Sequence, residues 1–263
     1  MRIPEFAAEQ VNAYKETKSG YLSGTPSTFV FLNARAFIPA DVLDKLVSVL
    51  EQLLKKPAFQ SSPWRKVYQL QRDWLVNDGV AQLEIVLFPA YDGPGASKEP
   101  DARHYTLSVF LQHSWSRGKV HAISRSALEP PAIDLAILDS PEQIDTVILV
   151  QAIRYAFKIM STGAMGVETQ QILNPSPKST DEELAAYVRK NVNSAWHPVG
   201  TASMLPREDF GVVDNSLKVY GTSNLRVVDA SVIPINVGTH PQAMLYGLAH
   251  RAVDIISAAR ATT

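Results

Sequence analysis

The sequence predicts an α+β fold, with helices packed against an antiparallel sheet, and three observations carry that prediction. Apolar residues recur at every second position in the middle of the chain, at Ala81, Leu83, Ile85 and Leu87 and again at Tyr105, Leu107, Val109 and Leu111. That is the period of a half-buried strand. The turn-rich segment AYDGPGASKEPDA separates the two runs in a hairpin-like arrangement. Helical periods with capping residues lie on both sides of this stretch.

In chain order, Pro4 to Lys18 reads as a leading helix and Gly20 to Ser27 as a turn. Phe29 to Leu32 reads as a strand or as the liner of a pocket. Asp41 is placed as the cap of the next helix, with Asp44 at N3 and Leu43, Leu46, Val47, Leu50 and Leu54 on its buried side. After the strand pair, Lys119 to Ile123 is a third, weaker strand. The segment SALEPPAID is expected to end the ladder there, because proline has no N–H to donate. Ser140, Pro141 and Gln143 supply N-cap, N1 and N3 residues for a helix whose apolar face includes Ile144, Val147, Ile148 and Ala152. Thr180 and Glu183 form a capping box for a helix ending near Val192. Leu225 to Val228 reads as a short buried strand, and residues from Gln242 to Arg260 as a helix with Leu245, Leu248, Val253 and Ile256 on its apolar side.

Composition excludes several function classes. The 263 residues are 46% hydrophobic, enough to bury a real core. Lys plus Arg total 25 and Asp plus Glu 26, a balance that offers no electrostatic footprint for nucleic acid or an anionic membrane. Cysteine is absent, so no disulfide, thiolate nucleophile or thiolate metal site exists. The N-terminal residues do not read as a signal peptide, and no apolar run reaches the roughly 20 residues of a membrane span. A cytoplasmic protein is the expectation.

The chain carries no glycine-rich dinucleotide fingerprint, no phosphate loop, no paired-histidine zinc motif and no nucleophile elbow. Two histidine turns stand out instead, NSAWHPVGTASM around His197 and NVGTHPQAMLYG around His240. Each histidine precedes a proline, which biases it away from helix, and each has a nearby glycine, Gly200 or Gly238. Such loops can present imidazoles to a pocket, where they could take a hydroxyl proton or hold a developing alkoxide. The other reading is that each histidine closes a local hydrogen-bond network around its proline turn. A metal site built from His197, His240 and Asp229 is disfavoured, since separations of 32 and 11 residues match no compact metal signature. His104, His113, His121 and His250 read as structural or exposed residues.

The same turns carry a family resemblance. WHPVGTASM at Trp196 to Met204, GVVDNSLKVYGTSNLRVVDASVIP at Gly211 to Pro234 and GTHPQAMLYGLAHRAVDII at Gly238 to Ile256 resemble the C-terminal signature of the glucose–methanol–choline (GMC) oxidoreductases. The resemblance implies a substrate-binding portion at residues 1–195 and a C-terminal motif region at 196–263, with the last strand and helix belonging to the family's FAD domain. It implies oxidation of a small alcohol with FAD as hydride acceptor, His197 as base and His240 as its partner. Asp229, Ala230, Thr239, Pro241 and Gln242 would then approach the flavin. His250 stands where the family commonly has glutamate. The glycine-rich half that holds FAD in that family has no counterpart here, so a separate FAD-domain polypeptide or a homodimer is an expected partner. Two other functions stay open: a flavin-independent isomerase, lyase or cyclase using the inherited histidines, and a non-catalytic binding or assembly protein.

Overall fold

A computed structural model describes residues 4–23, 28–60, 62–95 and 102–261. Residues 24–27 of the first predicted turn and 96–101 of the second lie outside the described residues. The elements in chain order are α1 (Pro4–Thr17), β1 (Phe29–Leu32), α2 (Ala34–Phe37), α3 (Ala40–Lys55), α4 (Pro57–Gln60) and α5 (Arg65–Leu75). Then come β2 (Leu83–Phe88), β3 (Thr106–Leu111), β4 (Lys119–His121) and β5 (Ala132–Asp134). The chain closes with α6 (Ile144–Met160), α7 (Gly163–Glu168), α8 (Asp181–Asn191) and α9 (Gln242–Ala261).

β1, β2 and β3 form an antiparallel sheet in that order, with Phe31 opposite Glu84 and Glu84 opposite Phe110. Because strand side chains alternate, Leu83, Ile85, Val109 and Leu111 share one face and Glu84 the other. The first face closes the main core with Leu46 and Leu50 of α3, Tyr68 of α5 and Ile144 and Ile148 of α6. A second cluster joins Leu149 and Ile153 of α6 to Leu184 and Val188 of α8. A third is built only from the C-terminal stretch, around Val213, Leu217, Val232 and Ala252.

The entry to α6 is fixed by a buried carboxylate. Asp145 accepts hydrogen bonds from the Trp115 and Ser116 amides (2.8 and 2.9 Å) and the Ser114 and Ser116 hydroxyls (2.8 and 2.6 Å). A carboxylate in the first turn of a helix also suits the helix dipole. The 114–116 turn is thereby tied to the helix that packs on the sheet.

The capping box at Thr180 and Glu183 forms as predicted. Other expectations are corrected. Proline, not Asp41, sits at the N-cap of α3: the helix begins at Ala40 after Pro39, and Asp41 pairs with Lys45 in the first turn. Ser140 does not lead straight into a helix. Pro141–Gln143 form a 3-10 turn in which Glu142 and Gln143 are left-handed, and the Ser140 hydroxyl accepts the Asp145 amide at 3.0 Å. The proline-rich segment does carry ladder residues, since β5 begins directly after Pro131 and pairs with β4. Leu225–Val228 is not a buried strand. Its pairing is limited to one bridge, Arg226 to Lys218, flanked by hydrogen bonds from the Val219 amide to Leu225 and the Val227 amide to Leu217, and Leu225 and Val228 are exposed. On α9 the covered stripe is Leu248, Ala252 and Ile255, while Val253 is 61% exposed.

Candidate active site

Both histidine turns come to the same place. The loop after α8 is irregular, and Trp196 adopts a left-handed φ of 63° that leaves its ring 82% exposed. His197 follows it half-buried. Gly200, at φ 88°, lets the loop turn back, and the Ser203 hydroxyl donates to its carbonyl at 2.7 Å. From the other side, Thr239 donates its amide to Val237 across a tight turn (2.8 Å), and Pro241 leads into α9. The rings of His197 and His240 lie 5.1 Å apart between centroids and nearly perpendicular, at 87°.

A third residue, which the sequence reading missed, anchors the pair. Glu84 is on β2 with its side chain only 3% exposed, and its Oε1 lies 2.8 Å from His240 Nε2. Its Oε2 accepts the Gln112 side-chain amide at 3.0 Å. A carboxylate can only accept, so the hydrogen on His240 belongs at Nε2 in this contact and Nδ1 is left without it in the neutral ring. Phe29 of β1 packs edge-on to the His240 ring at 5.7 Å. The signal for Glu84 was present: it is the one charged residue in the run LEIVLF, on the face opposite the alternating apolar set.

The histidines differ in electrostatics. Burial first, then the neighbouring His240, hold the His197 pKa below its ordinary value, against a smaller opposing pull from Glu84. His197 is therefore neutral at neutral pH, the form that accepts a proton. Behind the loop lies His113, read from the sequence only as structural or exposed. It is buried, stacked against Trp74 with centroids 4.7 Å apart, and neither ring nitrogen makes a hydrogen bond of normal geometry. Burial lowers its pKa, and the Asn236 backbone opposes this more weakly. A Cβ added at Gly238 would sit 3.6 Å from its Nε2, so loop and ring are in close apposition.

His197, Thr239, His240 and Glu84 line a cavity of about 290 Å3. A second cavity of about 330 Å3, between α9 and the 204–217 stretch, contains no histidine or carboxylate. Of the residues expected near a flavin, Thr239 and Gln242 are exposed and Pro241 is buried at the start of α9. Asp229 caps a short 3-10 turn by accepting the Ser231 amide at 2.8 Å, with Ala230 half-buried beside it. Asp229 does not line the histidine cavity. Nor do Trp196 or Tyr246, the latter 73% exposed, so neither is a wall of it.

The GMC oxidoreductase family profile matches residues 114–249, just over half of the chain. The chain belongs to the GMC oxidoreductase family. Its sequence is 36% identical to a glucose oxidase-like protein of Humicola fuscoatra over 74% of this chain and 31% of that one. Its structure resembles an FAD-dependent oxidoreductase from Chaetomium thermophilum, with a TM-score of 0.79 and 25% identity over 98% of this chain and 44% of that one. It also resembles a fungal aryl-alcohol oxidase, with a TM-score of 0.77 and 25% identity over 97% of this chain and 42% of that one. This GMC chain thus spans less than half the length of the relatives named. Among the described residues, no helix is long and apolar enough to cross a membrane.

Proposed function

We propose that this GMC chain forms the substrate side of an alcohol oxidoreductase, with His197 as the base and His240 as the group that orients the alcohol oxygen. The observation that carries the reading is the meeting of the two histidines on one cavity, with Glu84 holding one of them. Neutral His197 takes the hydroxyl proton. His240, tethered through Nε2, faces the substrate with Nδ1; when that nitrogen also carries hydrogen it donates to the alcohol oxygen, and Glu84 balances the charge. Proton removal raises electron density on the oxygen and weakens the neighbouring C–H bond toward loss as hydride.

FAD, when bound, supplies the acceptor for that hydride. The residues present fit one edge of it. The first-turn amides of α9 have no intrahelical acceptor, and Thr239 and Gln242 stand exposed beside them. No glycine-rich turn is available here for the diphosphate. The rest of the FAD site belongs to another segment or polypeptide, which would cover exposed Phe29, Phe31 and Tyr246. Phe29 packs on the His240 ring, so a partner that covers it closes beside the histidines. Family membership favours redox chemistry over isomerase, lyase or cyclase action.

The test is His197→Asn in the FAD-loaded assembly, with flavin reduction followed by its absorbance. A loss of about 100- to 10,000-fold in the rate of flavin reduction is expected. An unchanged rate removes His197 as the base.

A further inference from the structure

Resting on that reading of the site, we infer that the substrate is an uncharged alcohol on an apolar body, selected by Leu135 and Ile137 at the mouth of the cavity. The cavity is two-sided. Its uncharged polar lining is made by the histidines with Gln112, Asn193, Asn236, Thr239, Ser114, Ser116 and Ser194. Its apolar end comes from separate elements: Val109 and Leu111 of β3, Leu149 of α6, and Leu135, Ile137 and Leu138 of the connection between β5 and α6. At about 290 Å3 it sits at the small end of ligand pockets, which span roughly 300–1,000 Å3.

Charge narrows the choice. Among the described residues no Lys or Arg lines the cavity, so a carboxylated or phosphorylated alcohol finds no counter-ion. Its two carboxylates are already engaged. Both oxygens of Glu84 accept hydrogen bonds, and Asp145 accepts four. Phe110 is the single aromatic ring in the lining apart from the imidazoles, so a quaternary ammonium meets neither a free carboxylate nor an aromatic cage. Of the serines in the lining, Ser114 and Ser116 donate their hydroxyls to Asp145 and Ser194 accepts the Trp196 amide, so a polyol laid against the leucines loses water with few free partners to gain.

The backbone of the mouth supports the assignment. Ala136 and Leu138 both take left-handed φ values, 46° and 64°, although neither is glycine. Such angles cost free energy and persist where the surrounding structure enforces them. Here the Ala136 amide donates to the Asp134 carboxylate at 3.0 Å, and the Asp139 amide to the Ala136 carbonyl at 3.0 Å. Between these anchors Leu135 and Ile137 line the cavity while 58% and 41% exposed. An apolar substrate body covers that surface.

The experiment measures binding to the purified chain by calorimetry and saturation-transfer NMR, with benzyl alcohol, 4-(hydroxymethyl)benzoate, choline and glucose as probes. Benzyl alcohol is expected to bind at least about tenfold more tightly than the other three. Leu135→Asn and Ile137→Asn should each weaken it about tenfold, with unchanged circular dichroism because both side chains are exposed. Preference for glucose, choline or the benzoate, binding of none, or wall variants that bind like the parent each overturn the inference. So does a loss of FAD-partner assembly in those variants with alcohol discrimination intact, which would make Leu135 and Ile137 docking residues. The two readings fail separately. Glucose preference with flavin reduction abolished by His197→Asn removes the substrate class and keeps the base, and benzyl alcohol preference with full activity in His197→Asn does the reverse.

Discussion

Residues 28–192 and residues 196–261 differ in how they are held. In the first stretch, helices close on one face of a sheet and share a continuous core from Ala34 to Ala152. In the second, the buried apolar set reduces to Val213, Leu217, Val232 and Ala252, and much of α9 faces solvent. Regular elements in the first stretch satisfy their own backbone, whereas the second is mostly turns, isolated bridges and 3-10 pieces before α9. The stretch with the weaker core carries both histidines and every residue expected near the flavin. Its geometry depends on what it is docked against: the sheet through Glu84 on one side and, in our proposal, an FAD-binding partner on the other.

Cutting the same side chain from each core gives the largest effect. Leu50→Ala removes a fully buried side chain from the main core and should cost about 3–5 kcal/mol in chemical denaturation. Leu217→Ala, also buried, should cost nearer about 2 kcal/mol, because its looser surroundings collapse around the deletion. Equal costs would break the comparison.

The seam comes next. Glu84→Leu leaves the buried Gln112 amide and the half-exposed His240 N–H without their acceptor, and since only the first stays dry the change should cost about 1–3 kcal/mol. The expected signature is regional: amide hydrogen exchange should accelerate at residues 236–242 and stay nearly unchanged in α3 and α6. Uniform acceleration would mean that Glu84 serves the main core instead.

These contrasts also explain what was legible in the sequence. β2, β3 and the α8 capping box could be read because period and cap are local properties, and the surrounding core then rewards them. Leu225–Val228 has strand-like composition, yet composition does not supply a full ladder or the cover that would bury Leu225 and Val228. Val253 fails for a related reason: the C-terminal core covers the stripe of Leu248, Ala252 and Ile255, and Val253 lies off it. Glu84 and His113 were invisible to spacing because they act across 156 residues and across a loop apposition respectively. The histidine turns were legible as motifs, while their mutual geometry was not.

A smaller, pH-dependent effect belongs to His113. Its pKa is lowered in the fold by burial, so folded His113 stays neutral while the unfolded chain protonates at about pH 6.5. Above that pH both states are neutral and the residue contributes no pH dependence. As pH falls below it, the unfolded state binds the extra proton and stability declines, by at most about 1.4 kcal/mol per pH unit. His113→Phe should flatten that part of the profile in urea titrations. His197, shifted in the same direction, leaves a residual slope.

The smallest effect tests whether the two stretches are joined by their surfaces as well. Lys66 of α5 lies 2.6 Å from Asp209, whose side chain is mostly buried while that of Lys66 is exposed. Exposed ion pairs contribute little, because the gain in attraction is offset by ordering a long side chain and is screened by salt. Lys66→Met should therefore cost less than about 1 kcal/mol, and less again at high salt. A larger, salt-insensitive cost would show that the 207–209 turn depends on α5 as firmly as His240 depends on Glu84. The C-terminal stretch would then have two strong attachments to the sheet domain. Either way Ile235 also packs on the main core and Gly238 lies against His113, so the Glu84–His240 contact is the one among these attachments at which docking of the C-terminal stretch also aligns the histidines.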